Sequence, residues 1–316
     1  MLFIKAIDIN EELLWTDLIN QSQTASFFQT PEWLRLWLKH FDGKAKINGI
    51  YDGGDLIGMA PFYDDKQRVG FLGLSPVLGN ELVTDFGDII VAVGREKEVW
   101  EAIIKNNPIN KKKSKWELNF VREDSPSFSI LQQLGGKVEE VDVSPYIDLP
   151  KNWEEYLASL ERKDRHELKR KMRRLEGEGA VKVCYDGDPD QVEEFFRLMA
   201  LSDEQKRNFL SPQMKDFFRD IIQTFWSQKK LWLCFLKLED KNIAVALLFE
   251  FKNEMLLYNS GFDPAFFHLS AGLLVKALMI KQAIEEEKKR FDFLRGGERY
   301  KYDLGAKERK LYNISL

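Results

Sequence analysis

Apolar residues recur in this chain at two periods, and the order in which the periods alternate is repeated. TPEWLRLWLKHF (30–41) opens with Thr30 as a helix cap and Pro31 at the first helical position, and Trp33, Leu34, Trp37 and Phe41 fall on one face. SPQMKDFFRDIIQTFW (211–226) does the same with Ser211, Pro212 and the stripe Met214, Phe217, Phe218, Ile221, Ile222 and Phe225. Each helix runs into a predicted hairpin. The first is KINGIY, the turn DGGD and LIGMAPFY; the second is LWLCFLKL, the turn EDKN and IAVALLFEF. Small residues follow both turns, Gly58 and Ala60 in one copy and Ala244 and Ala246 in the other. Two copies of one plan, about 180 residues apart, predict tandem related domains.

The pattern places the boundary near VDVSPYIDLPKNWEEYL, where Pro145 and Pro150 bracket an extended segment, giving domains 1–150 and 151–316. A helix capped by Asn152 is predicted to continue through SLERKDRHELKRKMRRLEGEG on a thin seam of Leu157, Leu160, Leu168, Met172 and Leu175. Val192, Phe195, Phe196 and Met199 mark another helix. After the second hairpin come a strand (255–260), the loop GFDPAFFHL, a helix from Ser270 with Leu273, Ala277, Ile280 and Ile284 inward, and a last strand FDFL.

A chain of 316 residues with 44% apolar and 31% charged positions, 23 Phe and 8 Trp has core material for two domains. The net charge of −4 predicts no general attraction to nucleic acid or anionic membrane. Two cysteines, Cys184 and Cys234, argue against a disulfide framework. The N-terminal stretch shows no cleavable leader pattern, and no run approaches the roughly 18 apolar residues of a spanning helix, so a cytoplasmic protein is expected. His40, His166 and His268 are scattered without partners at metal-ligand spacing. A Walker loop, a dinucleotide GxGxxG and a nucleophile elbow are all missing from the sequence. No metal is expected.

Chemistry gathers in FDFLRGGERYKYDLG (291–305), where a glycine pair behind an apolar strand leads into Glu298, Arg299, Tyr300, Lys301, Tyr302 and Asp303. Upstream, Ser270-Ala271-Gly272 opens a helix, and helix N-termini suit phosphates. Taken alone, the first stretch also reads as a solvated loop and the second as an ordinary cap.

YNSGFDPAFFHLSAGLLVKALMIKQAIEEEKKRFDFLRGGERYKYDLG resembles the C-terminal signature of the GNAT-like acyltransferases related to FemAB and CelD. FLGLSPVLGNELVTDFGDIIV resembles a first-half element of the same family, with Asp85-Phe86 where the family has Asp-Tyr, and Ala271 stands where the family often has proline. The resemblance covers nearly the whole chain. It implies a mixed α/β (α+β) fold of two tandem GNAT-like domains, each a mostly antiparallel mixed sheet flanked by helices, with the donor site in the second.

The activity implied is acyl transfer onto an amine of a small molecule, a lipid or a cell-envelope or polysaccharide precursor, with acyl-CoA as co-substrate. Tyr300 and Lys301 are then expected at the cleft, Lys301 against a phosphate or oxyanion. Asp85, Asp292, Glu298 and Glu204 are candidate bases, because an ammonium acceptor must lose a proton. Ser270, Ala271, Gly272, Gly296, Gly297 and Arg299 are expected to hold the donor, and Arg207 and Tyr258 the substrate. The Fem branch instead uses aminoacyl-tRNA to lengthen peptidoglycan peptides.

ERKDRHELKRKMRRLE packs eight Lys or Arg into the thirteen positions from Arg162 to Arg174. It reads as a solvated face, or as a surface for CoA phosphates, tRNA or the inner face of a membrane. A non-catalytic nucleic-acid-binding protein using this helix is the rival of another class.

Overall fold

The computed structural model describes residues 2–41, 45–64, 68–78, 80–106, 115–179, 181–185 and 187–316. It divides into two units, Met1–Val143 with Arg309–Leu316, and Ser144–Glu308. The expected division at 150/151 thus falls between Val143 and Ser144, and the last eight residues belong with the first unit.

The first unit contains β1 (Leu2–Ala6), α1 (Glu12–Gln21), α2 (Pro31–Phe41), β2 (Ala45–Asp52), β3 (Asp55–Asp64), β4 (Arg68–Phe71) and β5 (Ile90–Val91). It continues with α3 (Glu96–Asn106), β6 (Lys115–Arg122), α4 (Pro126–Gln133) and β7 (Lys137–Val143). The second unit contains β8 (Tyr146–Asp148), α5 (Trp153–Ser159), α6 (Arg162–Glu176), β9 (Val181–Cys184), α7 (Val192–Ser202), α8 (Glu204–Phe209) and α9 (Pro212–Ser227). Then follow β10 (Leu231–Leu238), β11 (Lys241–Phe251), β12 (Glu254–Phe262), α10 (Ala271–Glu285), β13 (Arg290–Asp292) and α11 (Arg299–Asp303). The chain closes with β14 (Lys310–Ser315), which lies between β6 and β7 in the first unit's sheet.

The repeat holds down to the register of its hairpins. Ile50 pairs Gly58 and Asn48 pairs Ala60, as Leu236 pairs Ala244 and Cys234 pairs Ala246. Both hairpins shift register just before the turn, at Ile50/Tyr51 and Leu236/Lys237. The small residues have a packing cause: a Cβ on Gly58 would lie 2.8 Å from the Val99 side chain of α3.

The second unit's sheet runs β8-β13-β12-β11-β10-β9, antiparallel except for the parallel pair β12 and β13. Its core fills with Ala244, Ala246 and Leu248 of β11 against Leu274, Ala277 and Ile280 of α10. On β12, a Cβ on Gly261 would come 2.4 Å from the Met199 amide nitrogen, so α7 sits backbone-to-backbone on this strand.

One helix predicted from Asn152 onward is two. Asn152 caps α5 through the Glu155 amide, but Leu160 and Glu161 are extended and α6 starts afresh. The Arg165 guanidinium donates to the carbonyls of Ala158 and Leu160, satisfying groups freed by the break. Likewise the strand predicted as FDFL ends at Asp292, because Leu294 takes a φ of 57° that a strand cannot accommodate.

Because β14 supplies partners to both β6 and β7, a chain truncated after Glu308 should lose hydrogen-exchange protection at Leu118 and Val121. Protection in β10 and β11 should persist. Mass-spectrometric exchange of the full-length and truncated proteins reads both outcomes.

Candidate active site

The site forms where the two parallel strands part. β12 pairs with β13 over Glu254 to Leu256 only, and β12 then runs on to Phe262. Asp292 ends β13. It is 1% exposed, accepts from the Leu294 amide at 2.8 Å and from Ser144 Oγ at 3.2 Å, and so fixes the turn that carries the chain away from β12. The carboxyl ends of parallel strands are where α/β sheets commonly bind ligands.

The departing loop is held by a buried ammonium. Lys301, on α11 and 1% exposed, donates from Nζ to the carbonyls of Leu294 (3.2 Å), Arg295 (3.0 Å) and Gly296 (2.7 Å). Glu298 completes the set with Oε2 at 2.8 Å. Gly296 has a φ of 106°, and a Cβ there would meet the Glu298 carboxylate at 2.7 Å, so this position requires glycine. With its donors engaged, Lys301 acts on the loop, where the sequence suggested a partner for phosphate or oxyanion. Burial works to raise the Glu298 carboxyl, but the Lys301 contact and the field of Lys206 outweigh it and hold the carboxyl below its usual range.

Two further lysines face this loop. Lys276 of α10 is 7% exposed, and its Nζ donates to the Gly272 carbonyl at 2.7 Å and lies 4.6 Å from the centre of the Tyr300 ring. Burial first, then the positive charges of Lys206 and Lys301, push its pKa down to about 7 against the pull of Glu298. Lys206 of α8 donates to the Ser260 carbonyl of β12 at 2.6 Å, and burial lowers its pKa although Asp203 and Glu298 oppose the shift. Tyr300 packs edge-on against Phe293, and burial with the Glu298 charge raises its phenol, so it keeps its proton. Lys301 thus pairs directly with Glu298, while Lys206 and Lys276 are bonded to backbone carbonyls and feel its charge from further off.

The structure brings Glu298, Tyr300, Lys301 and Gly296 together with the start of α10, and it leaves other candidates elsewhere. Ser270 adopts φ 58° and makes no side-chain cap, while the Ala271 and Gly272 amides begin α10. A Cβ on Gly272 would meet the Phe262 ring at 2.7 Å, so packing already accounts for this glycine. Gly297 is exposed. Arg299 is exposed, pairs with Asp303 at 2.9 Å, and lines a cleft of about 220 Å³ with Lys163, Lys171 and Leu273. Arg207 is exposed beside Glu204 at 3.6 Å, while its neighbour Lys206 turns inward. Tyr258 packs at a tilt against the rings of Phe218 and Phe249.

Asp85 belongs to the first unit. The deeply buried carboxyl of that loop is Asp88, which accepts from Ser125 and Ser127 at 2.5 and 2.6 Å. Burial raises it to about 6 despite those donors. Within FLGLSPVLGNELVTDFGDIIV, Gly79 lies outside the described residues.

Lys276 and Lys206 went unselected by sequence reasoning. Lys276 does leave a trace, as the one charged residue in LLVKALMI, a run with no polar face to receive it. Among the described residues no His, Cys, Asp or Glu group is arranged to hold a metal, and no helix is long and apolar enough to cross a membrane.

Residues 162–302 match the family model of the acetyltransferase (GNAT) domain. Among solved structures, FemX superposes with a TM-score of 0.69 at 14% identity, covering 99% of this chain and 96% of that one. A tandem GNAT protein from the clavulanic acid biosynthesis pathway gives 0.57 at 11%, covering 99% and 98%. A GNAT-family acetyltransferase from Colwellia psychrerythraea gives 0.56 at 12%, covering 99% of both chains. No curated protein sequence matches this one significantly. The chain thus has the fold of tandem GNAT proteins, and its second unit carries the match to the acetyltransferase (GNAT) domain.

Two measurements test this geometry. Replacing Lys301 by Met strands three carbonyls and should lower stability by about 3 kcal/mol or more in urea unfolding. Arg299→Ala, which breaks an exposed pair, should leave the midpoint unchanged. Lys276 has a folded pKa below its unfolded one, so unfolding takes up a proton between them and stability rises with pH from about 7 to about 10. Below about 7 both states are protonated and the penalty is at full size. Lys276→Met should therefore be more stable than wild type at about pH 6, and lose that advantage by about pH 10.

Proposed function

We propose that the protein is an acyl-CoA-dependent N-acyltransferase that modifies an amine, with the reacting groups in the second unit. The observation that carries this reading is Lys276, a buried amine set against the Gly272 carbonyl at the start of α10 and the Tyr300 ring, with its pKa brought down to about 7 by burial. An amine acceptor enters as an ammonium and must give up a proton before it can attack. Neutral Lys276 takes that proton, and Glu298, kept charged by Lys301, holds the incoming cation beside it.

The freed nitrogen attacks the thioester carbonyl. A C–N bond forms, the C–S bond breaks, and the thiolate leaves with the proton of Tyr300, whose raised pKa keeps it protonated until then. The nitrogen's second proton passes to the Tyr300 phenolate, which leaves a neutral amide, a thiol and protonated Lys276. The edge of β12 beyond Leu256 offers backbone groups to the amides of the donor's arm, and the Ala271 and Gly272 amides offer partial positive charge to its phosphates. A donor of this kind places the reaction in the cytoplasm.

The FemX superposition favours a second reading, the Fem-type one, in which the same amine attacks the ester of an aminoacyl-tRNA and a ribose hydroxyl leaves. The purely nucleic-acid-binding reading gives the inward lysines nothing to do.

The test is calorimetric titration with acetyl-CoA, a longer acyl-CoA and charged tRNA, followed by turnover against a panel of amines. Acyl-CoA should bind wild type and Lys276→Met alike, while turnover falls about a hundred-fold or more in the variant. In wild type, the rate should climb with pH through about 7 as Lys276 loses its proton. Binding of charged tRNA alone would establish the Fem-type reading, and binding of neither would overturn both.

A further inference from the structure

The basic helix α6 is one-sided in three dimensions. Leu168 and Leu175 are buried, and the residues on the opposite face are Arg162, Lys163, His166, Lys169, Arg170 and Arg173, all exposed. The three acids of α6, Asp164, Glu167 and Glu176, stand outside this face by helical position. Of the three only Glu167 engages a residue of it, at 2.7 Å from Arg170, and Arg162, Lys163 and Lys169 make no ion pair among the described residues. In a chain of net charge −4, this is a concentrated positive strip.

Beside the end of the strip stands a large apolar group in water. Phe267 is 74% exposed, on the turn Pro264–Leu269, where Pro264 and Ala265 are exposed as well. The turn is well held. The Asp263 carboxylate accepts from the Ala265 amide at 3.0 Å, and the Ser270 amide donates to the Phe267 carbonyl at 2.9 Å. Arg174 of α6 donates to the His268 carbonyl at 2.9 Å, which ties helix and turn into one surface. A fixed, protruding aromatic beside unpaired lysines and arginines suits a bilayer surface, where the ring enters the acyl boundary and the cations meet lipid phosphates. Single-stranded nucleic acid calls for aromatics on an open platform, an arrangement this turn does not offer.

We infer that α6 and the turn at Phe267 dock the protein peripherally on an anionic lipid bilayer. The inference stands apart from the acyl-transfer reading. If both hold, the turn leads directly through Ser270 into α10, so docking brings the reacting amine's entrance near the membrane and selects acceptors anchored there.

Flotation of the full chain with vesicles tests it. The protein should float with equimolar phosphatidylcholine and phosphatidylglycerol and stay behind with phosphatidylcholine alone. The double substitution Lys169→Gln and Arg173→Gln should weaken binding about thirty-fold, at roughly tenfold or less per cation. Phe267→Ser should weaken it too, and its deficit should persist at high salt while that of the charge pair fades. All three positions are exposed, and circular dichroism checks that the variants fold. Equal flotation on both vesicles, or none, overturns the proposal. So does tighter binding to homopolymeric RNA that Phe267→Ser leaves untouched, which would assign the strip to nucleic acid.

Discussion

The site rests on a buried ammonium. Moving a charged lysine into the interior costs several kcal/mol unless its protons find strong acceptors, and Lys301 finds three carbonyls and a carboxylate. Those carbonyls belong to consecutive residues, Leu294 to Gly296, which could not converge on one point from a strand. The clamp and the left-handed turns at Leu294 and Gly296 are therefore one feature. From it follow the place of Glu298, the charge Glu298 keeps, and part of the field that acts on Lys276.

Seen this way, Lys276 is a stored instability. Lys276 stands in a buried apolar stretch of α10 with Leu274, Val275 and Ala277, and the field of Lys206 and Lys301 makes its charge still less welcome. An apolar residue would suit the fold better. Groups kept against the interest of stability concentrate where chemistry needs a shifted pKa. The first unit shows the contrast: its buried carboxyl, Asp88, is surrounded by donors from Ser125, Ser127 and the Ile89 amide, an interior polar group with its bonds satisfied.

Local pattern reached the repeated helix and hairpin because each is written within a few turns of chain: Ser211 and Pro212 start α9, and EDKN closes β10 onto β11. It reached the loop 291–305 because the composition of that loop is unusual. Burial within that loop was not legible, since Lys301 and Arg299 are alike in sequence and opposite in exposure. The same limit made Arg207 more visible than Lys206, whose inward bond to the Ser260 carbonyl no periodicity in a six-residue helix announces. β14 was beyond reach for another reason, its partners being strands that precede it by more than 160 residues.

That last strand also orders events in time. During synthesis the chain emerges from its first residue onward, yet the sheet begun by β1 keeps a gap between β6 and β7 until residue 315 has left the ribosome. The second unit, whose strands all lie within Ser144–Glu308, has every partner it needs earlier. The unit whose strands are begun earlier is thus the one completed later, and from the emergence of β7 until that of β14 the nascent chain carries an unpaired strand edge open to chaperones.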